Sequence, residues 1–237
     1  SGALAMQNAE SLAGCAFVQA IRPGCPFVYG SFTMAVDMKS GSPTFGTPEF
    51  AKGAAATGQL ARRYGLPWRS SNACTSCAPD AQAAYETQMS LWSSITAHAG
   101  VIYQAAGWLE GGLVGSFEKL VLDAEMLQMM AAWMEPFEVS PEEIGLSTIA
   151  EIGPGGHFLG TAHTMERYED AFYRPLISDW SNFENWRDAG AKDAAQRANA
   201  LWKRLLDEYQ QPALDRSVEE ELEAFVARRK ETYGVAA

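Results

Sequence analysis

Apolar and polar positions alternate in blocks along the first half of the chain. Three short apolar segments, Pro26–Gly30, Pro67–Ser71 and Val101–Ala105, are each followed by a polar loop rich in Gly or Ser and then by an amphipathic stretch of helical length. That rhythm predicts a parallel sheet built from β-loop-α units. The first loop, SFTMAVDMKSGSPTFGT, delivers the chain to a helix opened by Thr47 and Pro48 and closed near Tyr64 and Gly65. The second, SSNACTSCAP, leads to a helix from Asp80 to about His98; the third, AGWLEGGLVG, leads to one capped by Ser116 and ending near Met134. Residues 4–21 already read as a helix, with Leu4, Leu12, Cys15, Ala16 and Val18 at helical spacing and no strand ahead of them.

Loops after the strands are long and chemically varied, whereas the return from helix to strand is as short as Tyr64-Gly65-Leu66-Pro67. This asymmetry belongs to barrels and doubly wound sheets, whose working groups sit at the C-terminal strand ends. Three strands cannot close a barrel, so further strands are expected from elsewhere. Beyond about Glu135 the pattern changes: Pro141–Glu151 predicts a short helix, GPGGHFLG a flexible loop, and Ala191–Tyr209 and Ser217–Tyr233 charged helices. The expected division is residues 1–135 as β/α units and 136–237 as a helical extension packed on them.

Charge narrows the partners. Lys and Arg number 18 against 29 Asp and Glu, a formal charge of −11, which repels a phosphate backbone and argues against nucleic acid. No apolar run approaches the roughly 20 residues needed to span a bilayer, and the first residues lack the pattern of a secretory leader. The expectation is a cytoplasmic protein with its four cysteines reduced.

Candidate chemistry clusters in the strand-end loops. Cys74 and Cys77 form a CxxC pair whose spacing suits zinc, thiol exchange, or a pair of small pocket-lining residues. Zinc requires further ligands, and His98, His157 and His163 show no paired spacing, so no metal is expected. Tyr29, Phe32, Tyr103, Trp108 and Glu110 are candidates for an aromatic and acidic cage around a quaternary ammonium; the alternative is that Tyr29 and Tyr103 sit on alternating strand faces, one of them in ordinary core. The Gly-rich stretches match neither nucleotide-binding spacing. His157, after Gly155 and Gly156, is a candidate polar contact. Met126, Met129, Met130 and Met134 read as a core stripe, and the charge clusters at 219–223 and 228–230 as a solvated helix.

The segments RPGCPFVYGSFTMAVDMKSGSPTFGTPE, DAQAAYETQMSLW, AAGWLEGGLVGSFEKLVLDAEMLQMM, GPGGHFLGTAHTMERYEDAFYRPLISDW and AGAKDAAQRANALWKRLL resemble the trimethylamine methyltransferase superfamily, from about Asn8 to Lys230. The resemblance implies a (β/α)8 TIM-barrel fold of which this chain is a C-terminal part plus C-terminal helices. It also implies methyl transfer from a methylated amine to the Co(I) of a separate corrinoid protein, with no cofactor bound tightly to the chain itself. Members are about twice this long, so the N-terminal half of the barrel is expected as a partner, and a homo-oligomer is a further possibility.

The founding branch of that family carries pyrrolysine in the loop before the Asp-Ala-Gln string. Here that loop holds Cys74 and Cys77 ahead of Asp80, Ala81 and Gln82, and the resemblance places the pyrrolysine position near Cys77. Its absence favours a quaternary donor such as glycine betaine over trimethylamine. In that reading Tyr29, Phe32, Tyr103 and Trp108 cradle the cation, Asp37 or Glu110 balances its charge, and Gly155, Gly156 and His157 meet the corrinoid or its carrier. The alternatives are a non-catalytic assembly module and a zinc-assisted barrel methyltransferase using Cys74 and Cys77.

Overall fold

The computed structural model describes residues 1–30 and 33–234, which fall into two compact units that divide after Trp202. The chain opens with helix α1 (Gly2–Ile21), followed by β1 (Tyr29–Gly30), β2 (Ala35–Val36), β3 (Pro43–Thr44), α2 (Pro48–Tyr64), β4 (Trp68–Ser71), α3 (Ala81–Thr96) and β5 (Val101–Tyr103). A second hairpin, β6 (Trp108–Leu109) and β7 (Val114–Gly115), brackets a 3-10 turn at Glu110–Gly112 and precedes α4 (Phe117–Met134). Then come α5 (Pro141–Ile144), α6 (Leu146–Ile152), α7 (Ala162–Arg167), α8 (Phe183–Asp188), α9 (Ala194–Asp207) and α10 (Arg216–Tyr233).

Strands β1, β4 and β5 form a parallel sheet in that order, linked through α2 and α3. The anticipated alternation of strand and helix is therefore present as a mixed α/β architecture. Both linking helices start where a side chain satisfies the free N–H groups of the first turn: Thr47 accepts from Phe50 N, and Asp80 from Ala83 N. Helix α2 ends at Gly65 in the left-handed region, which lets the chain drop straight into β4.

One face of the sheet is covered. Tyr29 and Trp68 pack with Ala54 and Ala61 of α2 and with Ala97, and Ser70 Oγ lies 2.8 Å from Ser94 Oγ of α3. The small residues bring the helices close: a Cβ on Gly58 would come within 2.3 Å of the Ala97 carbonyl oxygen. Residues of opposite parity, Gly30, Arg69, Ser71, Val101 and Tyr103, therefore occupy the other face. There Val101 and Tyr103 are exposed.

After α4, two carboxylates of that helix tie down the following chain. Glu125 accepts from Ile177 N at 2.7 Å and Ser178 Oγ at 2.9 Å, and Glu118 accepts from Asn199 Nδ2 at 2.6 Å and Trp202 Nε1 at 2.8 Å. Phe117 stacks on Trp202, and Val121, Ile177, Ala198 and Leu201 form a second small core.

Several expectations need correction. The first and third strand-end loops contain the hairpins β2–β3 and β6–β7, which short two-residue ladders do not announce in sequence. The single helix expected at 141–151 is two, because Gly145 sits at φ +63 between α5 and α6. Of the methionine stripe, Met130 is buried, but Met129 and Met134 are exposed, since one flank of α4 has no neighbouring layer among the described residues. In the second unit α10 is a solvated helix with an internal pair, Arg216 to Glu220 at 3.0 Å, as its charge pattern implied.

Candidate functional site

All three strand-end loops meet. From the first, Phe45 N donates to Thr75 Oγ1 (2.9 Å) in the second; from the third, Glu110 N donates to Ser76 O (2.9 Å) and Gly111 N to Cys74 O (2.8 Å). Gly46 makes the first contact possible: it has φ +67, and a Cβ there would lie 2.3 Å from the Glu86 carbonyl oxygen.

Beneath these loops run two buried acidic anchors. Glu86 on α3 accepts from Thr75 N (2.6 Å) and Ser76 N (3.0 Å), while Gln82 Nε2 donates to its other oxygen at 2.9 Å. Lys119 of α4, 1% exposed, pairs with Asp123 one turn along and donates to Thr87 Oγ1 at 2.8 Å. Asp123 in turn accepts from Gly107 N at 2.9 Å, fixing the approach to Trp108. Burial pushes the Asp123 carboxyl up, against the pull of Lys119. These anchors escaped sequence reading because an isolated Glu, Lys or Asp on a helix normally marks the wet face; only the fold turns them inward.

The candidate residues sort by position. Tyr29 is 0% exposed on the helix-covered face, its Oη donating to Asn8 Oδ1 at 2.9 Å. Tyr103 lies on the open face, so strand alternation separates the two rings and they do not form one cage. Phe32 lies outside the described residues. Trp108 is half-buried beside a cavity of about 350 Å³ that Gly107, Gly115, Phe117 and Leu120 also line. Glu110 is exposed at φ +52 in the 3-10 turn. Asp37 is exposed and closes its own hairpin turn, accepting from Ser40 Oγ at 2.6 Å, a bond that holds its carboxyl below the usual range.

Asp80 is likewise held low, first by the Ala83 N–H at the start of α3. Cys74 is buried, donates to the Trp108 carbonyl at 3.2 Å, and has its thiol pushed up to about 11 by burial. Cys77 is exposed and the two are not bonded. Among the described residues no cluster of His, Cys, Asp and Glu suits a metal. Gly155, Gly156 and His157 are exposed in the turn after α6.

The residue that the sequence reading passed over on the open face is Arg69. Its guanidinium carbon sits 4.7 Å from the centre of the Tyr103 ring. Gly30, its neighbour across the β1–β4 pair, leaves that flank clear: an added Cβ would stand 3.4 Å from Nη2. Next along the face, Ser71 Oγ donates to Gln104 Oε1 at 3.1 Å. An arginine inside the second apolar segment was the available signal, since a strand buried on both faces carries none.

A model of the family described as trimethylamine methyltransferase matches residues 1–234. The chain belongs to that family. Within it, the chain is similar to the glycine betaine methyltransferase of Desulfitobacterium hafniense (strain Y51), 38% identical over 99% of this chain and 49% of that protein. A trimethylamine methyltransferase of Methanosarcina mazei is 34% identical over 95% of this chain and 46% of its own length. For that of Methanosarcina barkeri the figures are 32%, 98% and 47%. The chain thus spans about half the length of the family's curated members that it matches. No described helix is long and apolar enough to cross a membrane.

Proposed function

We propose that this chain is one half of a (β/α)8 barrel that transfers a methyl group from a quaternary methylated amine to the Co(I) of a corrinoid carried by a separate protein. The observation that carries the reading is the 38% identity to a glycine betaine methyltransferase across 99% of the chain. The geometry agrees with it. Among the described residues β1 and β5 each have one neighbour in the sheet, leaving both edges for strands that would complete a barrel around the open face. The strand-end loops are hydrogen-bonded to one another, and a barrel binds its substrate at such loops.

The chemistry is displacement at a methyl carbon. The carbon–nitrogen bond breaks, the electron pair stays on nitrogen, and a quaternary donor departs as a neutral tertiary amine. The acceptor supplies the attacking electron pair from outside this chain, which accords with a Cys74 thiol held at about 11 and hence protonated at neutral pH. What the protein contributes is orientation of one methyl toward the mouth and exclusion of water from the cation. In this reading Trp108, with the cavity beside it, would be the aromatic surface that receives the ammonium.

The test is methyl transfer from a panel of quaternary and tertiary amines to cob(I)alamin, followed by loss of the cob(I)alamin absorbance, with the barrel completed by its other half. Consumption with a quaternary donor supports the reading; a folded protein silent across the panel overturns it.

A further inference from the structure

The open face of the sheet carries a guanidinium that meets no acid among the described residues. Among the described residues no carboxylate lies within the 4.0 Å that defines an ion pair with Arg69, and its contact is the Tyr103 ring. That arrangement has a directional consequence. With the guanidinium over it, this face of the Tyr103 ring is not offered to a second cation. The ring instead holds the planar fork of Arg69 in place, leaving its N–H donors available. Gly30 on one side and the small Ser71 further along β4 leave room above it.

An arginine held on an aromatic ring, with no acid beside it among the described residues, is suited to a planar anion. Its fork matches a carboxylate through two parallel N–H···O bonds. A bare tertiary or quaternary amine has nothing to pair with it and would be repelled. We propose that Arg69 binds the carboxylate of the methyl donor, so that the substrate is a zwitterion bearing a methylated ammonium at one end and a carboxylate at the other. Tyr103 acts as the positioning residue for Arg69, and the ammonium sits away from this pair. The inference rests on the methyl-transfer reading for what the ligand is used for, but the binding contact can be tested without turnover.

The experiment is calorimetric titration of the full-length protein that carries this chain, using two probes with the same trimethylammonium group: glycine betaine, which has a carboxylate, and choline, which does not. The wild-type protein should prefer glycine betaine. Arg69→Gln should weaken glycine betaine binding on the order of 100-fold, the loss expected when a buried charge partner is truncated, and leave choline unchanged. Arg69→Lys, which keeps the charge but not the fork, should recover part of the loss. Equal loss for both probes, no loss for either, or no wild-type preference for the carboxylate overturns the assignment. Cob(I)alamin consumption by the same samples judges the reaction separately: betaine that binds through Arg69 without donating a methyl group leaves the contact standing and sinks the methyl-transfer reading.

Discussion

Replacing Lys119 by Met should be among the most damaging single changes to this chain, and its cost should depend on pH in a direction fixed by Asp123. The Lys119 ammonium is buried between α3 and α4, donating to Thr87 Oγ1 and paired with Asp123. Met fills the volume but leaves Asp123 in the interior with one bond, from Gly107 N. Breaking one partner out of a buried ion pair costs about 3 to 5 kcal/mol. The lower end is expected here, because Asp123 can take up a proton instead of remaining a naked charge. At an m-value of about 3 kcal/mol/M, a loss of about 3 kcal/mol moves the urea midpoint down by about 1 M.

The pH dependence follows by linkage. Burial already raises the Asp123 carboxyl above its ordinary value in the folded protein, and removing Lys119 raises it further. The folded variant then binds a proton that the unfolded chain has released, so its stability falls as pH rises above the ordinary aspartate range. The penalty of Lys119→Met, measured by urea unfolding, should be larger at about pH 8 than at about pH 5. A double variant, Lys119→Met with Asp123→Leu, should cost less than the two single changes added together, because it removes both charges. A midpoint shift below about 0.3 M, or a penalty that grows on acidification, would refute the reasoning.

Three further outcomes follow from other sites. Glu118 is held at about 2, chiefly by the Asn199 and Trp202 donors. Its ionised form therefore contributes stability above its unfolded value that fades as pH falls toward 2; Glu118→Gln should be less stable than wild type at neutral pH and converge with it in acid. Gly46→Ala should destabilise by about 3 kcal/mol or more because strain at positive φ adds to a clash with backbone. Gly24→Ala, also at positive φ but in open space, should cost only about 1 kcal/mol, and thermal melts that rank them equally would count against the close contact with Glu86. Alkylation of the native protein should label exposed Cys77 well before Cys74, whose thiol is buried and held at about 11; mass spectrometry finding equal rates would disprove the burial.

What the sequence determined by itself was local and periodic. The alternation of apolar segments with amphipathic stretches predicted β1, β4 and β5 and the helices between and after them, because period and capping chemistry act over a few residues. Thr47 and Ser116 cap where they were expected to, and Asp80 does so at the expected start of its helix, each accepting from an N–H three residues on. The family was also legible, since long uncommon strings run through nearly the whole chain. The strand-end hairpins were not, as two-residue ladders leave no periodic trace.

The tertiary structure decided which side chains share a space. Strand alternation already offered a reading with one of Tyr29 and Tyr103 in ordinary core; the tertiary structure decided that it is Tyr29, in the helix layer, with Tyr103 on the open face. Conversely, Glu86, Lys119 and Asp123, unremarkable on their helices, became buried anchors for the loops because α3 and α4 turn those positions inward. Arg69 acquired its meaning only when the register of β4 against β5 set its guanidinium over Tyr103 and away from every described acid. Pairings of this kind join residues tens of positions apart, and no local pattern encodes them; they exist once the sheet fixes register and the helices fix depth.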